Sequence, residues 1–349
     1  VAEVGCATHS YTITDRNGTL VASSGTLLEV SYNRVLNDAS TALAVVGVTD
    51  PKCCAQLGNI RSWRYLLNIY RGREFMWSGL IVNIEWSRDE VQVRAVDLIG
   101  LLERRVPHQD FTYDGTDLAT IAKDLVDDGL APDDPGHETT IIGLSGVLGG
   151  REYERNVGQT ADHLRDLADT GIDFTTVGNN ILILPDDFCE VVGLLSDDDL
   201  PEGLTVAEDG GSLVTRQIVA GSEESEALGT AGGANDYYGL LEYYEEQSSI
   251  TTQAAAEAAA QARLAASAVA PVFIDTRNIT LRPTAAVDVQ NLVPGWCLDI
   301  TSYATCRRIS QRLKLTGLQI TENGGSPNTP GQERILLQVT GTGDQLVVN

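Results

Sequence analysis

Apolar residues in the first hundred positions recur at every second place, in short stretches separated by turn residues. Tyr11 and Ile13 lead to Asn17-Gly18 and then Leu20; Leu28, Val30 and Tyr32 share one side of the next stretch, Asn37-Asp38 turns it, and 42–48 returns. A period of two places side chains on alternate faces of a strand, and Asn-Gly between two such runs is the strongest short-range hairpin signal. The pattern continues through 65–70, a turn at Arg71-Gly72-Arg73, 75–77, 80–86, a turn at Ser87-Arg88-Asp89, and 91–96. So many short, evenly punctuated strands predict a small closed or nearly closed antiparallel barrel. A helical stretch over 97–105, stopped by Pro107, ends this module.

The period then changes. Leu118, Ile121, Ala122 and Leu125 recur at helical spacing behind Asp117, a cap residue, and the helix is expected to end near Gly129. Thr160 is read as the cap of a second helix carrying Ala161, Leu164, Leu167 and Ala168, stopped by Gly171. Strands over 172–176 and 181–184 flank a Val177 to Asn180 turn. Strand signals return at 204–206 and 213–220, followed by Gly/Ser/Glu-rich sequence. An alanine-rich helix over 252–269 is halted by Pro271, and strands resume at 272–281, 296–303, 308–321 and, after a Gly324-Gly325 loop, 334–339. Alanine favours helix but gives a thin apolar face, so this helix needs close packing against a neighbour. The fold class expected is mainly β with an α/β insertion: two small antiparallel barrels plus helix-hairpin and helical insertions. The domains are 1–106, a first barrel; 107–200, an acidic α/β insertion; and 201–349, a second barrel interrupted by a helical excursion at 221–271.

Charge divides the chain in the same way. The net charge is −25, yet residues 1–106 hold 11 acidic and 11 basic side chains, 107–260 hold 32 and 5, and 261–349 hold 6 and 8. Two neutral ends flank an acidic, patterned centre, and a polyanion repels phosphates, which argues against ordinary nucleic-acid binding. No run of 18 apolar residues is present and the first residues lack the basic-then-apolar pattern of an export signal, so neither a membrane span nor a leader is expected. Cys6, Cys53, Cys54, Cys189, Cys297 and Cys306 are read mainly as small buried thiols of a reducing cytoplasm. The alternatives are disulfides, or an iron–sulfur cluster held by Cys53, Cys54, Cys6 and a fourth thiolate.

Catalytic motifs are missing: the sequence has no HExxH, GxSxG, GxxxxGK or helix-opening GxGxxG. The stretch Gly143 to Gly150 lacks a lysine and reads as a flexible loop. Glu242, Glu245 and Glu246 beside four tyrosines could serve a sugar, since glycosidases need two carboxylates at a set separation, and Asp197-Asp198-Asp199 could hold calcium. Trp63, Trp77, Trp86 and Trp296 are expected in a core or a subunit interface. No catalytic residue, cofactor or metal is assigned.

The order barrel, α/β insertion, barrel with helical excursion resembles the baseplate hub proteins of tailed phages, including the amino-terminal part of siphophage tail-associated proteins and the late control protein D group. The likeness rests on several stretches: Tyr65 to Arg73, Trp77-Ser-Gly79-Leu-Ile-Val, and Val91 to Asp97 before a helix ending in Arg104-Arg105; Gly150 to Arg155; Thr160 to Ile172 with the 174–183 hairpin; Tyr238-Gly239-Leu-Leu-Glu242; and Leu292-Val-Pro294-Gly295-Trp296-Cys-Leu298. The resemblance implies a structural, non-enzymatic minor tail protein, a homotrimer whose two barrels per subunit make a pseudo-sixfold ring. It implies a distal tail or tail tube hexamer on one side, a tail tip or fibre protein on the other, and phage DNA passing through without specific binding. The location implied is the virion tail tip, with assembly in the host cytoplasm. No fibre, lysin domain or receptor-binding repeat follows Asn349, so those tasks are expected on other chains. The interface candidates are Trp63, Trp77, Gly79, Asp97, Tyr238, Gly239, Glu242, Pro294, Gly295 and Trp296. The alternative is a carbohydrate-binding or carbohydrate-cleaving tail protein, with a calcium-held surface adhesin behind it.

Overall fold

In the computed structural model, residues 9–24, 27–48, 51–208, 210–211, 213–221, 227–247, 250–267, 272–274, 279–282, 284–304, 306, 308–323 and 332–346 are described. The Gly324-Gly325 loop, Pro271, the end of the alanine-rich helix beyond Ser267, and Cys6 lie outside them.

The alternating pattern of the first module becomes seven strands. These are β1 (His9–Asp15), β2 (Leu20–Ser24), β3 (Leu27–Val35), β4 (Thr41–Gly47), β5 (Tyr65–Arg71), β6 (Glu74–Trp86) and β7 (Glu90–Val96), with helix α1 (Pro51–Leu57) between β4 and β5. They pair antiparallel in the order β3-β4-β7-β6-β5-β1-β2. Ile13, Val30, Tyr32, Ala44, Val46, Leu67, Ile69 and Val93 are buried. The first turn is held by Asp15, whose carboxylate accepts from the Asn17 and Thr19 N–H groups, while Gly18 supplies a φ of 79°.

The sequence pattern divides 75–77 from 80–86, but β6 is continuous. At Gly79 a Cβ would lie 2.2 Å from the Val96 carbonyl oxygen and 2.4 Å from the Trp77 ring, so only glycine lets the strand pass this crowded point.

A short helix α2 (Leu98–Leu102) follows, entirely buried. The insertion then runs β8 (Phe111–Asp117), α3 (Leu118–Leu130), β9 (Glu138–Ile141), β10 (Leu148–Tyr153), α4 (Thr160–Ala168), β11 (Ile172–Val177) and β12 (Asn180–Pro185). Leu118, Ile121, Ala122, Leu125, Val126 and Leu130 form the buried stripe of α3, packing with α2, α4 and the β11–β12 hairpin. Two boundaries move. Gly129 lies inside α3, where a Cβ would sit 3.1 Å from Thr160 Oγ1 and 3.2 Å from Leu102, so its smallness serves helix contact rather than helix termination. The cap of α4 is Gln159, and Thr160 is its fully buried first residue. The glycine-rich stretch is also not merely a loop: Gly149 and Gly150 belong to β10, and Asp117, the cap of α3, accepts from the Ser145 and Gly146 N–H groups.

Strand β13 (Val191–Ser196), not evident in the sequence, closes this part of the chain. After β14 (Val206–Glu208), β15 (Arg216–Ala220), β16 (Leu228–Gly232), β17 (Glu242–Glu246), α5 (Gln253–Ser267) and β18 (Val272–Ile274) come β19 (Ile279–Leu281), β20 (Cys297–Ser302), β21 (Ile309–Asn323) and β22 (Gln332–Leu346). The chain divides into two compact units, one of Val1–Leu204 with Thr276–Asn349 and one of Thr205–Asp275.

In the first unit the long strand β21 joins the early and late strands. Its first part pairs with β20, its last part with β3, and β22 runs along its other side, so twelve strands make one continuous sheet. Mainly β, with a few helices, is the observed fold class. The second unit holds two small sheets, β16-β15-β17 and β14-β18, with α5 packed on the first. Ala256 and Ala260 are fully buried there, and a Cβ at Gly229 would lie 2.0 Å from the Ala256 carbonyl oxygen. The thin face of the alanine helix is matched by a strand without a side chain.

The reading of the cysteines is corrected. Cys189 and Cys297 form a disulfide with a Cα–Cα distance of 5.0 Å. Strand β13 lies parallel to β20 with Val191 opposite Cys297, which brings the segment before β13 alongside that strand. Cys54 and Cys306 are exposed free thiols.

Candidate functional site

The candidate residues fall into three places. Trp77 and Gly79 lie on β6, and Asp97 follows β7 where the two strands crowd together. Asp97 is buried and fully used: one carboxylate oxygen accepts from Gly100 N at 3.1 Å and caps α2, and the other accepts from Ser40 N at 3.0 Å. Burial outweighs these donors and pushes its pKa up to about 6. Trp77 is buried. Trp63 sits in the left-handed region at φ 62°, donates its backbone N–H to the Ile81 carbonyl at 2.7 Å, and packs beside the insertion core with Arg104 5.5 Å from its ring centre. Trp86, by contrast, is about half exposed.

The second place is the turn that feeds β20. Gly295, at φ 100°, lets the chain reverse beside Leu184 and Leu36, and it and Trp296 exchange backbone hydrogen bonds with Leu315 of β21. Pro294 is buried with it. Trp296 packs edge-on against Phe188 at 5.1 Å.

Sequence reasoning missed what joins these two places. Arg34 of β3, 2% exposed, donates to the carbonyls of Gln290 at 3.0 Å, Leu292 at 3.2 Å and Met76 at 2.7 Å. One buried guanidinium thus binds the strand before Trp77 to the turn before Pro294. Beside it lies a cleft of about 790 Å³ lined by Phe75, Asn179, Asn180, Gln290 and Trp296 among others.

Two further polar groups were unforeseen. Lys314 of β21 donates to Asp173 at 2.5 Å and to the Asp186 carbonyl at 2.6 Å, and the lysine and aspartate are both buried. Asn37, at φ 62°, binds Asp173 and exchanges hydrogen bonds with the Phe174 backbone. The insertion is thereby fastened to β3 and β21 together. Side chains from β1, β3, β5, β21 and β22 also meet in one interior. There His9 binds Glu322 and, at 3.1 Å, the Tyr32 hydroxyl, and Arg71 pairs with the fully buried carboxylate of Glu333 at 2.7 and 2.9 Å. Burial holds the Tyr32 phenol well above its ordinary range.

The third place, Tyr238, Gly239 and Glu242, belongs to the second unit. Asn235 accepts from the Tyr237 and Tyr238 N–H groups, Gly239 closes the loop at φ 77°, and Glu242 pairs with Arg216 at 2.8 Å.

The sugar-site and calcium readings meet the geometry poorly. Alternation on β17 puts Glu245 on the face opposite Glu242 and Glu246. Those two, four residues apart along a strand, are separated by about 13 Å of backbone rise, beyond the roughly 6.5–9.5 Å that a carboxylate pair spans in an inverting glycosidase. Asp197 accepts from Ser302, Tyr303 and Ala304, and Asp199 from Ser196 and Ala286, so these carboxylates anchor the chain to itself.

No protein-family model matches the sequence, and no curated protein matches it. Solved structures do. A tail protein from Neisseria meningitidis MC58 aligns over 95% of this chain and 96% of its own, with a TM-score of 0.53 at 13% identity. The 43 kDa tail protein of prophage MuSo2 from Shewanella oneidensis aligns over 95% and 98%, with a TM-score of 0.54 at 10% identity. The fold is that of a phage tail protein. The prophage tail protein gp18 of Listeria monocytogenes EGD-e extends the likeness, over 96% of this chain and 95% of that one, with a TM-score of 0.50 at 12% identity. Identities this low carry a likeness of fold.

Proposed function

We propose that this chain is a structural baseplate hub protein of a long-tailed phage. Three copies form a pseudo-sixfold ring that joins the tail tube or distal tail ring to the tail tip and gates DNA passage. The observation that carries the reading is the likeness to phage tail proteins over almost the whole length of both chains. The sheet supports the pseudo-sixfold part: β21 serves β20 along its first part and β3 along its last, so two strand groups share one hairpin. In this reading 1–106 and the late strands are equivalent wedges, and their near-neutral charge suits subunit contacts, which tolerate little unpaired charge.

Trp63, Trp77, Gly79, Asp97, Pro294, Gly295 and Trp296 shape the wedge surfaces from within, by fixing strand ends and turns. The acidic centre lies toward the DNA passage or the outer face, where a negative wall keeps DNA from adhering during ejection. The protein resides in the virion tail tip after assembly in the host cytoplasm, and its work is positional, without catalysis. The test is the mass of the full chain in solution, alone and mixed with the protein of the adjoining tail ring. Three chains per particle in at least the mixture is the expected result. A monomer in both, or hydrolysis of host wall polymer by the pure chain, would overturn it.

A further inference from the structure

The second unit carries an open sheet edge of its own. Strand β17 is an edge: it pairs in parallel with β15 and, among the described residues, with nothing on its other side. In a parallel ladder alternate residues turn their backbone groups to the partner. The Leu241 carbonyl and the Gln247 N–H both bond β15 or its flanks, so by alternation those of Glu242, Tyr244 and Glu246 turn to the free side. The side chains around this edge are large and uncovered: Tyr237 is 85% exposed, Tyr243 54% and Tyr244 55%, with Leu240 and Leu241 beside them. Strand β17 is short and carries three glutamates, which blunt its unpaired edge toward apolar or anionic strands but leave it open to a cationic one.

Charge says what kind of strand. Residues 205–275 hold eleven acidic and two basic side chains, a formal net charge of −9. Both cations are already engaged, Arg216 with Glu242 and Arg263 with Glu245. A second copy of this chain would bring the same excess of carboxylates to the edge. A cationic segment would meet Glu242 and Glu246 on the open face with the Tyr244 ring between them, a setting that suits the flat guanidinium of arginine, which stacks on aromatic faces.

The other face is also specific. Toward α5, Tyr243, Glu245, Gln217, Arg263 and Ser267 line a hollow of about 440 Å³. Gln217 is 2% exposed, yet its Nε2 has no hydrogen-bond partner. A buried amide donor without an acceptor carries a free-energy cost that an incoming acceptor would remove.

We propose that the free edge of β17 is a strand-addition site for an extended, arginine-bearing segment of another polypeptide. Its arginines lie over Tyr244 on the open face, and an asparagine or glutamine carbonyl enters the hollow to accept from Gln217. Main-chain hydrogen bonds supply affinity, and the alternating side chains supply specificity. The proposal stands on the second unit alone and does not depend on the trimer.

The test uses the full chain and a labelled short peptide alternating arginine with glutamine, followed by fluorescence anisotropy at low and moderate salt. Saturable binding that weakens with salt is expected, with none for a peptide alternating glutamate with glutamine. N-methylation of alternate peptide amides, leaving charge unchanged, should abolish binding in the register that faces β17. Tyr244→Pro removes one edge donor without touching the β15 ladder and should weaken binding roughly 10-fold, and Gln217→Leu should weaken it about fivefold while leaving an arginine–valine peptide unaffected. Equal binding of N-methylated and plain peptide would mean charge attraction alone and would overturn strand addition. A fall in the chain's own assembled mass on Tyr244→Pro, without peptide binding by the parent, would assign the edge to a second copy and overturn it as well. The N-methyl comparison uses the unmodified protein, so it decides the question even if a variant fails to fold. Particle mass, measured separately, reports on the hub reading.

Discussion

Lys314 is one of three lysines in the chain, and it stands between Leu313 and Leu315, where strand alternation turns its side chain to the face opposite theirs. Its ammonium is buried against Asp173 and the Asp186 carbonyl. Removing one partner of such a pair leaves a charge without compensation, so Lys314→Met should cost about 3–5 kcal/mol, read as a shift of the urea midpoint. Adding Asp173→Leu should recover a large part of that loss, because the cost is the orphaned carboxylate rather than the missing attraction. Asp97 makes a pH prediction. Its folded pKa, about 6, lies above the ordinary carboxylate value of 3.8, so between these the folded state binds more protons than the unfolded state. Stability from this group therefore increases as pH falls from 7 toward 5, by roughly 1 kcal/mol, and the increase should be missing in Asp97→Asn. A gap between parent and variant that does not change with pH would contradict it.

Among the elements, α5 makes the clearest demand on a single neighbour. Ala256 and Ala260 present almost no side chain, and the helix can reach β16 only because Gly229 has none. Gly229→Val should push α5 off the sheet, costing about 1–3 kcal/mol, and hydrogen exchange should speed in α5 and β15–β17 while the twelve-stranded sheet keeps its protection. Equal exchange across both units would show that they do not unfold separately. That this helix required close packing could be read from its composition, and the alternation of β1 to β7 and the stripe of α3 could be read from their periods. Strands β8, β9, β10 and β13 could not. The first three are rich in glycine, aspartate or threonine, β13 is interrupted by Gly193, and all four pair with strands that do not adjoin them in sequence, as β13 does with β20 across more than one hundred residues. Of the candidate residues, Asp97 carries a local signal, an aspartate before a helix, whereas Gly79 reads as a gap between two strands. Arg34 carried none, since an arginine that binds three distant carbonyls looks in sequence like any other, and Asn37 showed its turn but not its bond to Asp173.

At the scale of the molecule, the insertion is tied to the late strands at two points that are close neighbours. The Cys189–Cys297 disulfide joins positions 108 residues apart, and Cys297 lies directly opposite Lys314 in the β20–β21 register. Opening the disulfide by Cys189→Ala with Cys297→Ala, a pair that leaves no stray thiol, should lower stability by about 2–4 kcal/mol. Thiol titration in denaturant should find two more reactive groups in the parent after reduction than before it. The two ties should not add. With the disulfide intact, Lys314→Met traps the Asp173 carboxylate in a dry site. With it absent, the segment from Asp173 to Cys189 can shift and let water reach that charge. The combined loss should therefore fall short of the sum of the separate losses by about 0.5–3 kcal/mol, the usual coupling between residues that share a contact. Strict additivity would mean that the insertion stays docked without its covalent tie, held by Asn37 and the hairpin backbone, and the disulfide would then act only on the unfolded chain.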